Sequence, residues 1–257
     1  MGMERCNIFN SERYYLITKG GNESIDIAFV GTVYNNAPFI EASIGSILDI
    51  IKQLLNYNFE IVIVDNFSND GSYEKLLKVT ETICRLSNLK RYIVIRIHSS
   101  RGLGRRLAVY LSRARYIIPF DLDTYYNSAL LSKVIDRILR LKYDCIVFAN
   151  PGMHLMCLKD LIMNVGNYKD LNYGEEIELL ARLFYKYSGK ILSLPIKVAY
   201  DLRANMSSQR EYWYSRSLID YVNRKLRLMI DKYLAYGYDL KKMLRKYRFL
   251  YKHNIMY

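Results

Sequence analysis

Four groups of residues in this chain could do chemistry. Asp121 and Asp123 are carboxylates separated by one residue, directly after the apolar run Tyr116-Ile117-Ile118-Pro119-Phe120. In a turn, such a pair can face one ligand together. Oxygen donors suit a hard cation such as Mg²⁺ or Mn²⁺, which often keeps phosphate oxygens in its shell and offsets charge on a departing diphosphate. A solvated turn with capping aspartates is the plainer alternative. Asp65 ends a second apolar run, Glu60 to Val64. There it could accept a hydrogen bond from a nucleotide base, or form a turn ahead of Ser68-Asn69-Asp70-Gly71. Glu175, Glu176 and Glu178 either include a base for a hydroxyl proton or are acidic residues favoured at a helix N-terminus. Arg101-Gly102-Leu103-Gly104-Arg105-Arg106 joins glycines and cations at a helix start, which suits phosphate or a solvated basic turn.

Positioning these groups requires strands and helices in alternation. Ile25 to Val33, Glu60 to Val64, Tyr92 to Ile97, Tyr116 to Phe120 and Asp144 to Phe148 read as strands. Phe39 to Leu55, the stretch after Asp70, Gly104 to Arg113 and Ala129 to Leu141 read as helices. Pro38 suits a first helical turn, and Asp70 suits a cap. Helix-length connections between strands predict a mostly parallel sheet. Ligands then bind beyond the carboxyl ends of the strands. Tyr34-Asn35-Asn36, Asp65-Asn66 and Asp121-Leu122-Asp123 would gather on that one edge.

The chain has 257 residues, half of them apolar, enough for a full core. No apolar run is long enough to span a bilayer, and Met1 to Ser11 lacks the apolar segment of a secretory signal. The expected location is cytoplasmic, with peripheral contact at the inner membrane surface allowed. The four cysteines, Cys6, Cys84, Cys145 and Cys157, form no Cys-x-x-Cys pair, and reduced, buried thiols are expected. The 25 tyrosines, with abundant Ile, Lys and Arg, point to a thermophilic source. Net charge is +13. From Arg210 onward twelve Lys and Arg face four Asp and Glu. In that region Leu218 to Leu234 and Leu240 to Tyr251 have helical patterns. Such helices suit an anionic membrane surface, a homodimer contact, or a solvated cover.

Phe29-Val30-Gly31-Thr32-Val33-Tyr34-Asn35-Asn36, Val64-Asp65-Asn66-Phe67-Ser68-Asn69-Asp70-Gly71-Ser72 and Phe120-Asp121-Leu122-Asp123, in that order, resemble the family 2 glycosyltransferases. The resemblance runs from about Ile25 to Leu183. It implies an α/β fold of GT-A type, Rossmann-like, with helices flanking a mostly parallel central sheet; the helical patterns beyond Tyr200 add a basic helical C-terminal extension. A catalytic domain over 1–203 follows, with a donor half at about 25–125, an acceptor half at about 126–203, and the extension at 204–257. It implies an inverting enzyme that uses a nucleoside diphosphate sugar, UDP-sugars first among the candidates, and a glycan, lipid-linked or protein acceptor. Thr32, Val33, Tyr34, Asn35 and Asp65 would hold the nucleoside. Asp121, Leu122 and Asp123 would hold ribose and diphosphate, with Asp121 and Asp123 on the metal and Arg105 near phosphate.

Val165-Gly166-Asn167-Tyr168-Lys169-Asp170 looks like the family's Gly-Gly-Phe-Asp segment, and Gly174-Glu175-Glu176 like its Glu-Asp motif. That implies Glu176 as the base, with Glu175 beside it. Asn66 and Asn36 stand where acidic residues are common. Gln209-Arg210-Glu211-Tyr212-Trp213 resembles the Gln-x-x-Arg-Trp motif of processive members but has Tyr212 at the Arg position, which argues against processive synthesis. His154 could reach the diphosphate, or be structural. A nucleotidyltransferase is disfavoured because Gly31 to Pro38 has no basic residue. The reading from another class is a degenerate scaffold binding nucleic acid or membrane through its basic tail, although no specific nucleic-acid motif is visible.

Overall fold

The computed structural model describes residues 6–19, 23–150, 154–172, 174–187 and 190–203. The basic extension, with Trp213 and the two helical patterns beyond residue 210, lies outside the described residues.

The centre of the molecule is four parallel strands in the order β5 (Leu89–Arg96), β4 (Phe59–Asp65), β3 (Ile27–Val33) and β6 (Tyr116–Asp121). Their continuous apolar sequences suit strands covered on both faces. Alternate residues divide between two cores: Phe29, Phe59, Ile61 and Ile63 face one, and Ala28, Val30, Val62 and Val64 the other. The first face is covered by α1 (Ile40–Gln53) and α5 (Ser128–Leu141), which pack on each other. Ile40, Ile44, Ile47, Leu48 and Ile51 form the buried stripe of α1. α4 (Arg101–Leu111) and α7 (Glu175–Tyr187) cover the second face.

Antiparallel strands extend both sides. A hairpin of β1 (Asn7–Ser11) and β2 (Tyr14–Thr18) joins β5 through β2. On the other side β9 (His154–Leu158) pairs antiparallel with β6 and with β8 (Cys145–Asn150), and β10 (Ile191–Lys197) closes the sheet parallel to β8. A small ribbon of β7 (Thr124–Tyr126) and β11 (Ala199–Asp201) sits beside the end of β6. Two short helices, α2 (Ser72–Lys78) and α3 (Thr80–Arg85), link β4 to β5, and α6 (Lys159–Asn164) follows β9. Among the described residues no helix is long and apolar enough to cross a membrane.

Three local expectations are corrected. α4 begins three residues before Gly104, because the Ser100 hydroxyl accepts from Leu103 N–H and caps it. Its glycines are there for close packing: a Cβ on Gly102 would lie 1.9 Å from the Lys169 carbonyl oxygen, and one on Gly104 2.5 Å from Thr32 Cγ2. Pro38 lies ahead of α1, in a turn closed by Phe39 N–H on the Asn36 carbonyl. Cys6 and Cys84 are joined in a disulfide, not reduced, while Cys145 and Cys157 are free, buried and opposite each other in register. A sequence separation of 78 hides the pairing; the hairpin beside β5 brings Cys6 to α3. A closed loop of that length constrains the unfolded chain by about 4 kcal/mol. Reductant, or Cys84→Ser, should therefore lower the melting temperature clearly; identical melting with and without reductant would remove the bond from the account.

Candidate active site

Strand register sets the site. Thr32 lies between Val64 and Asp121, and one step further Val33 pairs with Asp65, which pairs with Arg96. The carboxyl ends of β3, β4, β5 and β6 therefore meet on one edge. The loops after β3 and β4 are stitched together. Asn35 N–H donates to Ser68 Oγ at 3.0 Å, Asn69 N–H to Asn35 Oδ1 at 3.0 Å, and Asn36 N–H to Ser72 Oγ at 2.8 Å. Asp70 accepts from Ala37 N–H at 2.9 Å and Ser72 N–H at 3.0 Å, so it holds the start of α2 and the first loop together. Asn35 has φ +51°, a conformation asparagine tolerates. Tyr34 is exposed, while Val33 is buried.

Asp65 is fully buried. It accepts from Ser68 N–H and pairs with Arg96 Nε at 3.2 Å. Burial raises its carboxyl above the usual range, against those hydrogen bonds and Arg96. Beside it stands Phe67, which sequence reasoning passed over. Its φ of +52° is unusual for an aromatic residue. Its ring stacks on His98 at 4.1 Å and lies under the Arg96 and Arg13 guanidinium groups.

At the end of β6 the pleat turns Leu122 into the core and leaves Asp121 and Asp123 partly exposed. Asp121 N–H donates to the Tyr126 hydroxyl at 3.0 Å, and Ser43 Oγ donates to the Asp121 carbonyl at 3.1 Å. His154 packs edge-on to Tyr126 and adds positive potential at Asp121.

Arg105 is the hub. Its side chain is completely buried and meets Asp121, Glu175 and, at 2.7 Å, Glu176. The ring of Tyr168 lies 5.9 Å from the guanidinium carbon. A buried cation persists only when paired, and here three carboxylates hold it in the charged form despite desolvation. Its reach toward a ligand runs through Asp121. The first amides of α4 are also engaged: Arg101 N–H with Asn172 Oδ1 and Gly102 N–H with the Leu171 carbonyl. This helix start is a junction with the 167–172 loop.

One buried cation cannot satisfy three carboxylates equally. Burial pushes Asp121 upward, but Arg105, helped by Arg101 and His154, holds it below the usual range. Burial raises Glu176 to about 7; Arg105 opposes this, and Asp121 and Glu175 reinforce it. Glu175 is 2% exposed and Glu176 28%. Glu176 is thus the partly open carboxyl that titrates near neutrality. Glu178 is turned away, paired with Arg182, whose guanidinium also ties down the Val165 and Asn167 carbonyls. Asp123 is raised by burial and by Asp121, against Arg203 at 3.0 Å. Arg203 carried no motif in the sequence; the β7–β11 pairing brings it to the triplet.

The model of glycosyl transferase family 2 matches residues 29–153, the stretch that carries the β3, β4 and β6 ends. The match covers just under half of the chain. No curated protein sequence matches it significantly. Among solved structures, residues 1–349 of S. aureus TarS superpose with TM-score 0.55 and 16% identity, over 68% of this chain and 60% of that one. The mannosyltransferase PcManGT from Pyrobaculum calidifontis, solved with GDP-Man and Mn²⁺, gives TM-score 0.60 and 13% identity, over 80% and 65%. Glucosyl-3-phosphoglycerate synthase from Mycobacterium tuberculosis, solved with Mn²⁺, UDP and glucosyl-3-phosphoglycerate, gives TM-score 0.54 and 14% identity, over 76% and 77%. The likeness to these structures shows a GT-A fold. The chain spans less than two thirds of the length of the first of these structures.

Proposed function

We propose that the family 2 domain is an inverting glycosyltransferase that moves a sugar from a nucleoside diphosphate to an acceptor hydroxyl. One observation carries the reading: Arg105 couples the acidic triplet that ends β6 to Glu176, a partly open carboxyl at about 7. Both face the edge where the family-matched strands end. Tyr34 and Asn35 form the exposed rim for the nucleoside, with Thr32, Val33 and Asp65 beneath them. TarS has been solved with UDP-GlcNAc and PcManGT with GDP-Man, so UDP- and GDP-sugars are the donor candidates here.

Asp121 and Asp123 fit a divalent cation. They supply hard oxygen donors only, and no group of three metal-binding side chains occurs among the described residues. Two carboxylates with donor phosphates and water completing the shell is a common arrangement for Mg²⁺ or Mn²⁺. The cation, when bound, would offset charge on the leaving diphosphate. Glu176 takes the acceptor hydroxyl proton on its carboxylate as the acceptor oxygen bonds to the anomeric carbon. The bond from that carbon to the phosphate oxygen breaks, the nucleoside diphosphate leaves, and configuration inverts. Arg105 orients Asp121 and Glu176 and is a positioning residue. The donor half, about 25–125, and the acceptor half, about 126–203, meet at this arginine.

The test is release of nucleoside diphosphate from UDP-Glc, UDP-GlcNAc and GDP-Man, each with Mn²⁺. Turnover of one donor well above the others is expected. A folded protein that turns over none of a broad donor panel would contradict the reading.

A further inference from the structure

The segment after β11 carries a cation to the acidic triplet. Arg203 Nε lies 3.0 Å from Asp123 Oδ2, and the same guanidinium donates to Asn36 Oδ1 in the loop after β3. The Phe39 ring lies 5.7 Å from its central carbon, and its backbone N–H donates to Asp201 Oδ1 at 2.8 Å. Because β3 and β6 are neighbours, Arg203 bridges the gap between their carboxyl ends. This segment does not depend on that side chain for its place. Asp201 pairs with Thr124, and Leu202 N–H donates to the Asp123 carbonyl at 2.8 Å. The ion pair is thus an addition to a backbone already tied down.

We propose that Arg203 is a resident cation on Asp123 that a divalent metal must displace, so that the arginine latch and metal binding exclude each other. The inference rests on the metal reading above and adds a competitor to it. Arg105 holds Asp121 from within the core, whereas Arg203 is partly exposed beside Asp123, on the side a divalent ion would approach, where the two cations would repel at close range. Release of Arg203 also frees Asn36 Oδ1, so the side-chain tie between the loops after β3 and β6 is lost in the same event.

The test is Mn²⁺ titration of the full chain, read by the electron paramagnetic resonance of free Mn²⁺. It compares the unaltered protein with Arg203→Gln and Asp123→Asn. Arg203→Gln is expected to bind Mn²⁺ about tenfold more tightly, the loss of one competing ion pair, and Asp123→Asn to lose the site. Equal or weaker Mn²⁺ binding by Arg203→Gln, with binding still lost in Asp123→Asn, overturns the latch and leaves the metal reading standing. No site in any of the three proteins overturns the metal reading and the latch together. Matching circular dichroism and melting of the three keeps a folding defect from imitating either result.

Discussion

Asp123→Ala is expected to lower sugar transfer at least about 10³-fold, some 4 kcal/mol of transition-state stabilisation, while the melting temperature stays within about 2 °C. The two halves of this expectation have separate causes. Asp123 is one of the two carboxylates of the triplet, so its loss halves the oxygen set that the triplet offers a cation. Its side chain contributes little to the fold, because the carboxylate is partly exposed and its pairing with Arg203 is on the site side. The backbone carbonyl of residue 123, which accepts from Leu202 N–H, survives the substitution. Transfer at the original rate by the variant would remove the triplet from the mechanism. A collapse of the melting temperature would instead make Asp123 a structural residue.

Glu176→Gln is expected to slow transfer by about 10²- to 10⁴-fold, the usual contribution of a positioned general base, with donor affinity changed little. Glutamine preserves the shape and can still accept from Arg105, but it cannot take the proton. The unaltered enzyme should show the titration of this group. Burial raises the carboxyl to about 7, and the ionised form is the active one. Rate should therefore climb about tenfold per pH unit below about 7 and level off above it. Glu175 offers a contrast: it is buried against Arg105 and has no open face from which to receive a hydroxyl proton. A flat pH profile from 5.5 to 8.5, or full turnover by the Gln variant, would move the base elsewhere.

The parts of this site that were legible in sequence are those set by strand period and local punctuation. The parallel strands β3, β4 and β6 announced themselves as apolar runs that lead into the polar residues Asn35, Asp65 and Asp121. What remained hidden depends on distance along the chain. Arg105 reads as one of several cations on a glycine-rich turn, and nothing local says that α4 rotates it inward against Glu175 and Glu176 from seventy residues away. Arg203 reads as an ordinary residue after a short strand, and only the β7–β11 ribbon delivers it to Asp123. β1 is short, polar and exposed, so it lacks the apolar run that marked the others. Its contribution is the disulfide partner Cys6, a long-range pairing without a spacing signature. Phe67 was visible as a letter but not as a conformation. Its positive φ places an aromatic ring beside Asp65, at the carboxyl ends of the parallel strands.

The central claim is that this edge binds a nucleoside diphosphate with a cation held by the triplet. Calorimetric titration with UDP and GDP, each with and without Mn²⁺, tests it most directly. The account predicts that one of the two nucleotides binds, that Mn²⁺ tightens it, and that Asp123→Ala abolishes the metal-dependent part. A folded protein that binds neither nucleotide under any of these conditions would contradict it.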